Sequence, residues 1–305
     1  MENPSVQPAE SGGMLRAPRQ LSYQRLISIL KWIVYPLLIL NFFYYLSDDL
    51  QTVQHTLDAD SSLRKWFNAL APSFDQLAWV LLILVYEIET YWLDDDYDNR
   101  LVEGAMLLAK LIFVGFICNT IYTYAFYVTE IPGMLPIEGV RDLCALAGQD
   151  LSFYRNVTYT EITAQTCSTI PYSGTLYSYP SDPLVTDAAG RLEDAQLRVI
   201  DLIEGIVWLL ILGLTELSVR LQERGIYKGA LLSVDRRGKQ LLYSLLILAC
   251  IYWGVKGHFV YVWDEALWIL SFLVLDNNLS IWRDDLADQD DRGRTDVPPN
   301  TQPAS

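Results

Sequence analysis

Six stretches of this chain approach the width of a lipid bilayer, and that pattern limits the folds open to it. A hydrocarbon core of about 30 Å takes about 20 mostly apolar residues at a rise of about 1.5 Å each. Stretches near that length lie at about 26–46, 76–93, 105–128, 199–220, 240–256 and 260–276. Only Lys256, Gly257 and His258 separate the last two. Hydrophobic residues make up 51% of the chain while the formal net charge is -15, so apolar and charged residues must be segregated along it. Soluble helices need a polar face, and these runs largely lack one. The expected fold is an all-α polytopic membrane protein with six transmembrane helices and the lipid bilayer as its main partner. Residues 1–20 are polar and the first apolar run is long enough to remain as a span, so no cleaved signal peptide is expected.

Positively charged loops resist translocation, so lysine and arginine set the orientation. Arg16, Arg19, Arg25 and Lys31 precede or begin the first run. Arg220, Arg224, Lys228, Arg236, Arg237 and Lys239 lie between the fourth and fifth. With six spans both clusters fall on one side, which predicts cytoplasmic N- and C-termini. Length and loop economy point to a bacterial inner membrane. The long loop between the third and fourth runs then faces outward, and it holds Cys144 and Cys167. Two cysteines in an oxidising compartment read as a disulfide, which would stabilise such a loop by about 3 kcal/mol. Asn156, Val157 and Thr158 form a glycosylation sequon, relevant only in a eukaryotic secretory membrane.

These boundaries divide the chain. Residues 1–22 and 284–305 are polar tails expected to be disordered on the cytoplasmic side. Residues 23–128 hold spans one to three, residues 129–198 an extracytoplasmic loop domain, and residues 199–283 spans four to six. In "DSSLRKWFNAL", Leu63, Trp66, Phe67 and Leu70 recur at helical spacing, which predicts an amphipathic helix near 60–71, capped by Asp60 or Ser61. The Thr-, Tyr- and Ser-rich "YTEITAQTCSTIPYSGTLYSYP" favours short strands and turns.

An internal repeat points to chemistry. Trp79, Trp208 and Trp268 each follow an acid by four residues and precede another by eight, in "DQLAWVLLILVYE", "EGIVWLLILGLTE" and "DEALWILSFLVLD". Acids fill 37 of 305 positions, so one tryptophan meets both conditions by chance about once in seventy, yet three of nine do. The odd-numbered runs echo this: Lys31 precedes Tyr44 by thirteen residues, Lys239 precedes Tyr252 by thirteen, and Lys110 precedes Tyr122 by twelve. The chain therefore reads as three repeated helical hairpins related by an axis along the membrane normal.

In antiparallel hairpins Lys31 falls at the depth of Glu87, Lys110 near Glu216 and Lys239 near Asp276. An unpaired charge inside a span costs about 3 kcal/mol or more, which such pairs would relieve. Two uses compete. The acids can be structural counter-charges, with Lys31, Lys110 and Lys239 as ion-pair partners. Alternatively Glu87, Glu89, Glu216 and Asp276 form an inner ring and Asp75, Glu204 and Asp264 an outer one, lining a path for a cation or proton. Glu89 has no counterpart in the other copies.

Other signals are weak. Asp94, Asp96 and Asp98 alternate as in a calcium loop but lack its glycine and final glutamate, so a solvated acidic loop is expected. His55 and His258 have no partner at metal spacing. No Walker loop or nucleophile elbow occurs, so neither enzyme nor cofactor is expected. The negative charge disfavours nucleic acid as a partner. Two functions remain: a cation or proton channel or transporter, and a non-conducting scaffold or accessory subunit. The scaffold would self-associate or join other membrane subunits, docking a partner through its external loop.

Overall fold

The computed structural model describes residues 18–91, 100–140, 142–226 and 229–276. Most of residues 1–22, all of 284–305, Lys228 and the acidic stretch holding Asp94, Asp96 and Asp98 lie outside them. The chain is mostly helical. Its long helices are α1 (Pro18–Thr56), α3 (Ala71–Tyr91), α4 (Arg100–Glu130), α5 (Ala188–Glu223), α6 (Ala230–Lys256) and α7 (259–276), with the short α2 (Leu63–Ala69) between α1 and α3.

Four segments among the described residues are long and apolar enough to cross a membrane: Ile29–Thr56, Ala71–Glu89, Arg100–Gly133 and Ala230–Lys256. Helices α5 and α7 carry acids within their length and pack into the same core. That core gathers Val34 and Leu38 from α1, Trp79 and Leu82 from α3, Ile117 from α4, Trp208 and Ile211 from α5, Leu246 from α6, and Trp268 and Phe272 from α7. The helices with outward apolar surface expose large side chains: Leu101 is 83% exposed and Val255 82%, as suits a lipid-facing wall.

The turn between the last two apolar runs is a left-handed helix cap. Gly257 adopts φ 86°, its N–H donates to the Gly254 and Trp253 carbonyls, and the His258 N–H donates to the Trp253 carbonyl. A residue with a Cβ is strained in that conformation, so the single glycine lets α7 fold back directly on α6.

The segment between α4 and α5 corrects the all-α expectation. It contains a five-stranded sheet in the order β1 (Leu135–Pro136), β4 (Leu176–Ser178), β5 (Leu184–Asp187), β2 (Ser152–Arg155), β3 (Thr158–Glu161). Its neighbours are antiparallel except β2 and β5, which run parallel. Tyr and Thr dominate β3, and such residues favour a pleated, half-buried surface over helix. This cap has its own core of Leu143, Leu146, Phe153, Ile170 and Val185, closed by the Cys144–Cys167 disulfide. Asp187 then caps α5 by accepting from the Gly190 N–H at 2.8 Å. The short helix α2 forms where its spacing predicts, but Ser62, not Asp60 or Ser61, is its cap and accepts from the Lys65 N–H.

Candidate functional site

The acids before and after the three tryptophans form two tiers with different partners. In the inner tier, lysine and tyrosine one helical turn apart hold one carboxylate. Lys31 Nζ lies 2.7 Å from Glu87 Oε2, and the Tyr35 hydroxyl donates to Glu87 Oε1 at 2.7 Å. At the other end of the chain, Lys239 Nζ lies 2.6 Å from Asp276 Oδ1 and the Tyr243 hydroxyl donates to Asp276 Oδ2 at 3.0 Å. Residues four apart share a helix face, so each pair grips its acid from one side.

The middle pair is built differently because Val114 stands four residues after Lys110, where the others have tyrosine. Glu216 accepts from the Tyr86 hydroxyl of α3 at 3.0 Å and from Arg220 Nε at 2.8 Å. Lys110 Nζ lies 4.0 Å from Glu216 and 2.5 Å from Glu89 Oε2, and sits 4.5 Å above the Tyr86 ring. Glu89, without counterpart in the sequence pattern, thus takes the lysine that depth alone assigned to Glu216.

Among the described residues no lysine lines the outer tier. Asp75, Glu204 and Asp264 all line one cavity of about 300 Å³ among the helices beneath the cap. Asp48 and Asp49 of α1, Asp194 and Asp201 of α5, Glu265 of α7 and Asp182 of the cap join them, and among the described residues the only cation in the lining is Arg198. The donors to these carboxylates are mostly neutral. Asp264 accepts from Asn41 Nδ2 at 2.5 Å, the Tyr45 hydroxyl at 3.0 Å and Gln76 Nε2 at 3.1 Å. Glu204 accepts from Trp253 Nε1 at 2.7 Å, Glu265 from Trp208 Nε1 at 3.1 Å, and Asp49 from the Ser73 N–H at 2.8 Å. Arg198 is spent locally, donating to Asp194 at 2.8 Å and to the Tyr127 carbonyl at 3.0 Å. On the cap side, burial raises the Asp182 carboxyl above its ordinary range. Burial also raises Asp194, against the opposing pull of Arg198.

The tryptophans form the floor. Trp79 contacts Trp208 and Trp268 with ring centroids 6.1 and 6.2 Å apart, and Phe272 packs against Trp79 and Trp208 at 5.5 and 5.2 Å. Their N–H groups orient the polar ring above: Trp208 donates to Glu265, and Trp268 to Gln76 Oε1 at 3.1 Å, which sets the amide so that Nε2 faces Asp264.

The cap closes the other side. The β2–β3 turn holds Asn156 at φ 50° and Val157 at φ 65°, a conformation a β-branched residue seldom adopts, and Val157 lines the cavity. Both histidines of the chain lie on this seam. His55 Nδ1 pairs with Ser152 Oγ at 2.9 Å and stacks on Tyr159, while His258 Nε2 pairs with Asn156 Oδ1 at 2.8 Å. Lys65 of α2 donates to the Ser181 carbonyl at 2.7 Å.

Sequence reasoning singled out Asp75, Glu204 and Asp264, which the fold brings together. It missed Asp49, Asp201 and Glu265, which share their cavity, and Tyr35 and Tyr243 of the inner tier. A Lys-x3-Tyr signal for those tyrosines stands in "KWIVY" and "KQLLY". Comparison with protein-family models, curated proteins and solved structures finds no match to this chain.

Proposed function

We propose that this chain is a multi-pass membrane protein that conducts or carries a cation, a proton included, by way of the acidic cavity. In this reading α5 and α7 cross the membrane with the other four long helices, as three hairpins that are copies of one another. Both termini are cytoplasmic, the disulfide-closed cap is external, and the host is a bacterial inner membrane. The outer tier receives the cation, and the paired inner tier, with Lys31, Lys110 and Lys239 on its acids, is the barrier that must rearrange for passage.

One observation carries this reading: carboxylates from four helices and the cap surround one cavity and are held mainly by neutral donors. Such a site concentrates positive charge. Liposomes loaded with a pH-sensitive dye test it. Wild type is expected to give cation-dependent flux, and Glu204→Gln to lower it at least about tenfold, as removal of a pathway charge should. No flux from wild-type protein of verified fold overturns the reading.

The inner tier favours a second reading, a non-conducting scaffold or accessory subunit, because every inner acid has a cationic partner. The same assay separates the two. Labelling of single cysteines from each side tests orientation, and a label on Cys167 from the cytoplasmic side overturns it.

A further inference from the structure

We infer that the ligand of the outer cavity is a linear aliphatic chain bearing two or more ammonium groups, rather than a metal ion or a lone proton. The inference rests on the cation-handling reading of the same cavity and names the class of cation.

The volume is the first argument. About 300 Å³ is the lower end of small-molecule pockets and the space of about ten waters, far more than a dehydrated metal ion fills. The donor set is the second. Among the described residues no three acid, cysteine or imidazole groups stand close enough to hold one metal ion. The carboxylates are dispersed along the cavity, which suits a ligand whose charges are dispersed too.

Their dispersal is measurable along α5. Asp194 and Glu204 are ten residues apart, about 15 Å at the helical rise, and both line the cavity. Asp201 lies between them and has no hydrogen-bond or ion-pair partner among the described residues. Glu265 faces its cavity with a single indole N–H shared between its two oxygens. These carboxylates keep acceptor capacity that a primary ammonium, with three donors, can fill.

The wall is the third argument. The rest of the lining is rich in aromatic rings, with Trp79, Trp208 and Trp268 at the floor, and Trp253, Tyr124 and Tyr261 beyond it. Methylene groups pack on such faces, and ammonium groups are drawn to them by cation–π attraction. A hydrated metal ion gains neither. A cavity lined by both carboxylates and aromatic faces matches a chain that carries both ammonium groups and methylenes.

The indoles also report binding. Purified full-length protein in detergent, followed by tryptophan fluorescence and calorimetry, is titrated with spermidine, n-butylamine and sodium chloride. Spermidine is expected to saturate at least tenfold more tightly than n-butylamine, with no saturable signal from sodium chloride. Asp201→Asn is expected to weaken spermidine about tenfold while leaving the unfolding temperature of the free protein unchanged; Asp75→Asn provides a second variant. Equal affinity for spermidine and n-butylamine overturns the multivalent ligand, as does spermidine affinity that is unchanged in both variants. Cation flux into liposomes without saturable amine binding overturns this inference and leaves the pathway standing. Amine binding without flux upholds the inference and overturns transport.

Discussion

The inner and outer tiers are made of the same residue type at matched offsets from the same three tryptophans, yet they meet opposite kinds of partner. Glu87, Glu216 and Asp276 meet lysine or arginine, and each is also held by a tyrosine hydroxyl. Asp264, Glu204 and their neighbours meet amides, hydroxyls and indoles around a shared cavity. Twelve residues separate the two acids of one helix, a rise of about 18 Å and a drift of about 120° around its axis. One faces the junction with the neighbouring helix and the other the interior of the bundle. The lesson is that the surroundings of a buried acid depend on which side chains the fold brings to it, not on its place in a sequence motif.

Removing a partner breaks this contrast most strongly. Lys239→Met leaves Asp276 without its cation in a pair whose side chains are only 10% and 20% exposed, and should cost about 3 kcal/mol of stability. Thermal unfolding in detergent reads the loss, and Lys239→Met with Asp276→Leu should recover most of it. If the single variant is neutral, the inner tier is not structural.

Reducing or replacing the Cys144–Cys167 bridge should destabilise the cap by a similar amount, about 3 kcal/mol, while the helices stay folded. Limited proteolysis restricted to residues 135–187 would show it. Cleavage spreading into α3 or α6 would mean that cap and bundle fold as one unit.

A smaller effect sharpens the comparison within the inner tier. Tyr35→Phe removes one hydroxyl from Glu87 and leaves Lys31 in place, for a loss of about 1.5 kcal/mol. Cation flux should persist, because Lys31 still holds the inner acid, whereas Glu204→Gln should lower flux at least about tenfold with little loss of stability. Equal behaviour of the two variants in both assays would erase the distinction between the tiers.

The smallest effect concerns pH at the seam. Burial lowers the His258 imidazole below its ordinary value of about 6.5, so the unfolded chain binds more protons there. The contribution of His258 is full above its unfolded value and declines as pH falls toward the folded one. Hydrogen exchange of residues 152–161 should therefore accelerate on acidification, and His258→Gln should flatten that dependence.

The four long apolar helices, the Lys31–Glu87 and Lys239–Asp276 pairs and the disulfide were legible because each follows from local pattern: apolar length, depth counted in helical rise, and two cysteines in one loop. The strand-forming cap was legible from its Thr and Tyr content. The cavity was not. Asn41 and Asp264 are 223 residues apart, and nothing in either neighbourhood announces the hydrogen bond between them. Asp48, Asp49 and Asp201 belong to no repeated pattern in the sequence, and only the packing of the bundle turns them toward a common space. Lys110 shows the limit of depth as a guide: Glu89 and Glu216 lie close enough in height to compete for it, and only the packing of α3 against α4 and α5 gives Glu89 the shorter contact.

By itself, the sequence determined that this chain is built for a bilayer, that acids recur at set distances from three tryptophans, and that lysines stand opposite some of them. Those properties depend on hydrophobicity and helical rise, which are local. Only the tertiary structure decided which acids are neutralised and which surround a cavity, because that depends on how each helix is rotated about its own axis. Rotation is set by the sum of many side-chain contacts from distant parts of the chain, and no single stretch encodes it.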